Sequence, residues 1–306
     1  MAINSWSNIA TETQKANRFP TRHSQYAFYN QAVKSFARHG WIGLLLVAVC
    51  WPLDWVLPGV RTSYLFFPLW VGYILVMDAI VVRRSGTSLM TRSRKEFAAL
   101  FLISIPAWWL FEGLNERTHN WVYLGRERFS DITYFILSSV CFSTVMPAVF
   151  ESAEWMATAG WLRNWNRGPR VPDGWTTRWG CFAAGVAMIS LTLLWPRIFY
   201  PLVWGGVFLV LDPLNDWLGR PSLLRRTMGG DWRPVISLAL GALMCGFFWE
   251  MWNYFSYPKW KYHTPGVNFL HLFEMPLPGY LGYIPFSWEL FALANFLRPR
   301  ALRLGL

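Results

Sequence analysis

Charge is scarce in this chain. Only 15% of its 306 residues are Asp, Glu, Lys or Arg, against 54% hydrophobic, which is too little charge for a soluble domain of this length. Acids are scarcer than bases, 17 against 28, leaving a formal net charge of +11. On a soluble domain that excess would suggest nucleic acid, but its distribution, given below, has another explanation, and no nucleic-acid partner is expected. Cysteine is rare too. Cys50, Cys141, Cys181 and Cys245 stand singly in apolar runs with no C-x-x-C pair, which argues against a disulfide framework or zinc site. Gly-rich phosphate loops, Walker motifs, a Ser–His–Asp order and H-E-x-x-H are all missing. The five histidines lie outside the centres of the apolar runs, so neither a metal nor any other cofactor is expected. The polar first forty residues argue against a cleaved signal peptide. Over 25–39, Tyr26, Tyr29, Val33 and Phe36 share one helical face, with Lys34, Arg38 and His39 beside it. That pattern fits a helix lying on the inner leaflet, and a soluble helix fits it equally.

What the chain has in quantity is apolar length and aromatic rings. Its 21 tryptophans and 18% aromatic content suit a membrane protein, where Trp and Tyr collect at the interfaces. Apolar segments run near 41–57, 63–82, 96–113, 132–155, 179–196, 198–217, 233–253 and 270–297. Most approach the ~20 residues that cross ~30 Å of hydrocarbon. The last is long and rich in Pro and Gly at its start, which predicts entry through a broken or re-entrant stretch. With eight crossings, 21 of the 28 Lys and Arg fall on one side. The positive-inside rule then puts both termini in the cytoplasm, with the cytoplasmic (inner) membrane as the location.

Two stretches of the chain repeat one another. Trp70, Gly72 and Asp78 match Trp204, Gly206 and Asp212 at an offset of 134, and Ser88-Leu89 and Arg92 match Ser222-Leu223 and Arg226. Further on the offset is 138. It pairs Glu112 and Asn115 with Glu250 and Asn253, Pro147 with Pro285, and Glu151 with Glu289. Between them Trp121 and Tyr123 match Trp260 and Tyr262 with one residue inserted. Agreement in order and spacing over ~110 residues indicates duplication. The expected fold is therefore all-α and polytopic, about eight transmembrane helices as two tandem parallel four-helix repeats. Residues 1–40 form a cytoplasmic segment, 41–156 the first repeat, 157–178 a basic linker, 179–297 the second repeat, and 298–306 a basic tail. Four helices per repeat give both copies one orientation, about a pseudo-twofold axis along the membrane normal, with a candidate site between the halves.

Three acids per copy fall in or beside the apolar helices: Asp78/Asp212, Glu112/Glu250 and Glu151/Glu289. A charged carboxylate at mid-membrane costs roughly 2.5–3.5 kcal/mol, and no Lys or Arg shares those runs. Each acid must be neutral, hydrogen-bonded by Trp, Tyr or Asn, or open to a wet cavity. Two readings stand beside each other. In one, the acids do chemistry; in the other, they are fold determinants kept in both copies, Glu clamping a helix end with the Asn one turn away. For Trp121, Tyr123, Trp260 and Tyr262 an aromatic belt at the membrane surface is the leading expectation. The second copy adds His263, His271 and Glu274 among many rings. Rings beside two carboxyls suit a cationic intermediate, an acid protonating an alkene, ring faces stabilising the cation and a second carboxylate removing a proton.

Trp249-Glu250, Trp260-Lys261-Tyr262 and Glu274-Met275-Pro276-Leu277-Pro278, repeated as helix, acid beside an aromatic, W-x-Y turn, Pro motif and helix, resemble the integral-membrane lycopene cyclases and the related carotenoid hydratases. The resemblance covers about 50 residues per copy. The family's Pro-x-Glu-Glu is here Pro276-Leu277-Pro278-Gly279, its acid after Trp is usually Asp, and its repeats have about three helices. The resemblance implies an apolar isoprenoid or carotenoid-like ligand and cofactor-free acid/base chemistry. Glu250 and Glu289 are then the expected acid/base pair, with Glu112 and Glu151 as counterparts. Asn253 and Asn115 are expected to orient the carboxyls, and Trp249, Trp252, Trp260 and Tyr262 to line the cavity. Glu274, Asp78 and Asp212 are further candidate binding residues. Two other classes fit the same sequence: a non-catalytic subunit or scaffold with membrane protein partners, and a transporter whose acids carry protons or substrate.

Overall fold

Seven helical segments are long and apolar enough to cross a membrane among the described residues, as the hydropathy pattern requires. A computed structural model describes residues 35–298 and 304–306; the interfacial helix expected over 25–39 lies for the most part outside them. The chain from Phe36 onward forms one unit and is a polytopic, mostly helical membrane protein.

Helix α1 (Arg38–Val56) packs antiparallel to α2 (Thr62–Ser85). A short α3 (Leu89–Arg92) leads into α4 (Arg94–Thr118), followed by strand β1 (Trp121–Leu124). The next crossing is two pieces, α5 (Asp131–Phe142) and α6 (Val145–Ala157), broken at Ser143-Thr144. After a 3-10 stretch (Gly160–Arg167) come α7 (Trp175–Leu194), α8 (Pro196–Phe199) and α9 (Val203–Trp217). Then follow α10 (Leu223–Met228), α11 (Arg233–Tyr254) and strand β2 (Lys259–Tyr262).

The last apolar segment, expected to enter through a broken or re-entrant stretch, is divided. Residues 270–282 form strands β3 (His271–Leu272) and β4 (Met275–Pro276) and a 3-10 turn (Leu277–Gly282). Only 15 residues remain for α12 (Tyr283–Leu297), a length of about 22 Å. The fold is mostly helical, with two short strand pairs beside the helices. β1 and β2, some 140 residues apart in sequence, pair antiparallel with Trp121 opposite Tyr262 and Tyr123 opposite Trp260.

Glycines set the closest helix contacts. A Cβ on Gly43 of α1 would stand 2.6 Å from the Gly72 carbonyl oxygen of α2, and one on Gly185 of α7 would stand 2.9 Å from that of Gly206 of α9. Small residues at such crossings let backbones touch in place of side chains. Further contacts run α2 to α6, α9 to α12, α6 to α11, α11 to α12, α4 to α6 and α4 to α12. The core they enclose is aromatic, with Trp70 packed against Trp249 and Trp252 at ring separations of 5.0 Å. The expected linker at 157–178 is folded onto the 218–233 loop, through Gly168 N to Gly230 O, Val171 N to Thr227 O and Trp232 N to Trp165 O. In that loop, burial would raise the Asp231 carboxyl, but Arg233 and Arg226 hold it below the usual carboxylate range.

Candidate functional site

Each W-x-Y strand is tied down by the asparagine of the preceding helix. Asn115 accepts from Asn120 N (2.8 Å) and Trp121 N (3.2 Å) and donates to Trp121 O (2.9 Å). Asn253 accepts from Trp260 N (3.0 Å) and donates to Trp260 O (2.8 Å). An amide side chain offers one donor and one acceptor with the spacing of a strand backbone, so each asparagine substitutes for a missing strand neighbour. The two asparagines bind backbone, not the carboxyls they were expected to orient.

With the strands fixed, their aromatic side chains reach the glutamates one turn before the asparagines. Glu112 Oε1 accepts from Trp108 Nε1 (2.8 Å), Trp121 Nε1 (3.2 Å) and the Tyr123 hydroxyl (2.6 Å). Glu250 Oε1 accepts from the hydroxyls of Tyr262 and Tyr283, both at 2.7 Å, and Trp260 stands beside it. Burial first, and the adjacent carboxyl second, push the Tyr123 and Tyr262 phenols well above their ordinary range. Both are therefore donors. A carboxyl so bonded can remain deep in a helical bundle, since each bond to a buried acceptor removes part of its desolvation cost. The expectation of a surface belt is corrected: Trp121, Tyr123 and Tyr262 are internal donors to two carboxyls, and Trp260 stands beside one of them.

Between the two carboxyl clusters lies a cavity of about 460 Å³, within the usual size of small-molecule sites. Trp108, Trp121, Trp204, Trp249, Trp260 and Phe286 form much of its wall. Trp204 stacks on Phe111 (5.5 Å) and Trp121 (6.1 Å), and Trp249 on Tyr283 (5.9 Å). Tyr123, Tyr262 and Tyr283 also face the cavity, whereas Glu112 and Glu250 stand behind them. On this wall the phenol protons point at carboxyls. Two cations reach the wall already engaged: Arg126 pairs with Asp131 and lies 4.2 Å over the Tyr134 ring, and Lys259 pairs with Glu274.

The other expected residues are elsewhere. Glu289 is fully buried, and its Oε1 accepts from Gly205 N (2.7 Å) and Val207 N (3.2 Å). Those amides are freed by a break in α9 at Trp204 (ψ 101°) and Gly205 (φ 112°). Glu289 thus caps a helix end, and among the described contacts none joins it to Glu250; the acid/base pair expected of these two is not assembled. Glu151, also fully buried, faces Asp78 and not the cavity. Asp212 accepts from Leu223 N, Leu224 N and the Ser222 hydroxyl (2.8–2.9 Å), and Asp78 from Met90 N (3.2 Å), with His39 Nε2 at 2.8 Å. Both aspartates hold the start of a short loop helix, a structural role. Trp252 packs in the core against Trp51, Trp70 and Phe248 and does not line the cavity.

Two residues of the site escaped sequence reading although a signal existed. At the offset of 138, Trp108 aligns with Gly246, and Val145 with Tyr283. A Cβ on Gly246 would run into the Tyr283 ring, so the glycine makes room for the donor that Trp108 supplies in the other cluster. Compared with protein-family models, with curated proteins and with solved structures, the chain matches none.

Proposed function

We propose that this chain is a cofactor-free acid/base enzyme of the cytoplasmic membrane, acting on an isoprenoid or carotenoid-like lipid held in the aromatic cavity. One observation carries the reading: an apolar cavity whose wall phenols, Tyr262 and Tyr283, both donate to one buried carboxyl, Glu250. In that arrangement a phenol oxygen takes a proton from the ligand carbon while its own proton passes to Glu250. The C–H bond next to a cationic carbon of the ligand breaks, its electron pair fills the empty orbital there as the new double bond, and the carboxylate ends protonated. Run in reverse, the same relay delivers a proton to an alkene. Ring faces of Trp249 and Trp260 stabilise the cation between these steps. Glu112 with Tyr123 forms the counterpart on the opposite wall.

The lipid site belongs, in this reading, to the seam of two tandem four-helix repeats, each completed by a broken fourth crossing, with both termini cytoplasmic. Support comes from the antiparallel pairing of the two W-x-Y strands and from the matched contacts α2–α6 with α9–α12. The resemblance to membrane lycopene cyclases and carotenoid hydratases points to the same ligand class. Expressing the chain in a polyene-producing host and profiling the extracted lipids tests the proposal. A cyclic or hydrated product made by wild type and lost in Glu250→Gln is expected. An unchanged profile with well-expressed wild-type protein contradicts it.

A further inference from the structure

The cavity is not apolar throughout. At one point of its wall Asn120 is 5% exposed and Thr264 is 8% exposed. Asn120 Oδ1 and Thr264 Oγ1 are buried with no hydrogen-bond partner among the described residues. Leaving such atoms unpaired costs about as much as losing a hydrogen bond, and polar atoms left so inside a cavity are suited to a ligand. The segments that carry them are held by hydrogen bonds. Asn120 Nδ2 donates to His263 O (3.2 Å), His263 N donates to Asn120 O (2.7 Å), and the Tyr200 hydroxyl donates to Pro265 O (3.1 Å).

The bond to His263 O fixes the amide orientation, because a carbonyl oxygen can only accept. The atom left over on Asn120 is therefore an acceptor, and Thr264 beside His263 can both donate and accept. A pure hydrocarbon would leave both atoms desolvated and unpaired. We propose that Asn120 and Thr264 form a polar subsite for the hydroxyl of a hydroxylated, otherwise apolar lipid, which the aromatic wall holds along its length. This rests on the reading that the cavity binds a lipid, and it narrows the ligand class from hydrocarbon to alcohol.

The wall tryptophans supply the test. Their emission, quenched by energy transfer to a bound polyene, reports binding to the purified full-length protein. The two probes are a hydrocarbon polyene and the same polyene carrying one terminal hydroxyl. Wild type is expected to bind the hydroxylated probe about tenfold more tightly. In Thr264→Val and Asn120→Leu that preference falls to near unity, with hydrocarbon affinity retained. Thr264→Val breaks no hydrogen bond within the described residues and decides the matter should Asn120→Leu fail to fold. Equal affinity of wild type for the two probes overturns the subsite while the lipid-binding reading stands. Binding of neither probe overturns both.

Discussion

Glu112 and Glu250 occupy matching places at the ends of α4 and α11, yet their donors come from different directions. Around Glu112 the third donor is Trp108, one turn back on the same helix. Around Glu250 that position is Gly246, and the donor is Tyr283, reaching across from α12. One cluster is thus closed within its own helix and strand. The other ties together α11, β2 and the start of α12, directly after the 3-10 turn that lines the cavity. Glu151 and Glu289 diverge in the same sense. Val71 keeps α2 continuous where Gly205, at an offset of 134, breaks α9 with a φ of 112°. A β-branched residue holds a helical conformation and resists a positive φ, whereas glycine accepts it. Three exchanges along these offsets, Val71 for Gly205, Trp108 for Gly246 and Val145 for Tyr283, therefore leave freed amides and two phenols on one carboxyl at the second set of positions alone.

The largest effect is expected from Glu250→Gln, which should lower product formation in the polyene-producing host by about 10²–10⁴-fold, the scale of general acid–base catalysis. Glu112→Gln should cost no more than about tenfold, and equal losses would mean that the halves act alike. Next, Gly246→Ala drives a methyl into the Tyr283 ring and should lower stability by about 1–3 kcal/mol, read as a fall in melting temperature. Gly205→Val forces a β-branched residue to positive φ, at about 1–2 kcal/mol. The mirror change Val71→Gly should cost only about 0.5–1 kcal/mol. The smallest effects are expected at the loop caps, where Asp212→Asn and Asp78→Asn should each cost about 1 kcal/mol or less. Asp212 should be the more sensitive, because it holds two backbone amides against one.

The apolar helices, the acids within them and the matched motifs were legible because each is local or follows a fixed offset. Pairing of β1 with β2 was not, since four residues with a W-x-Y pattern fit a membrane-surface belt as well as a strand, and the partner lies far along the chain. The aspartate and Glu289 roles were hidden for a related reason: their partners are backbone amides, which leave no trace in residue type. The Gly205-Gly206 pair did hint at the break in α9, but two glycines also fit a close helix crossing, as Gly206 in fact provides. The exchange of Trp108 and Val145 for Gly246 and Tyr283 was readable along the offset of 138, although only the structure shows that both donors end on the same oxygen of their glutamates.

The most direct measurement is a near-atomic density map of the protein purified with its native lipids. Elongated density is expected between Trp108, Trp121, Trp249 and Trp260, in contact with the phenol of Tyr262 or Tyr283. A cavity filled only by ordered water, with lipid confined to the outside of the bundle, would contradict it.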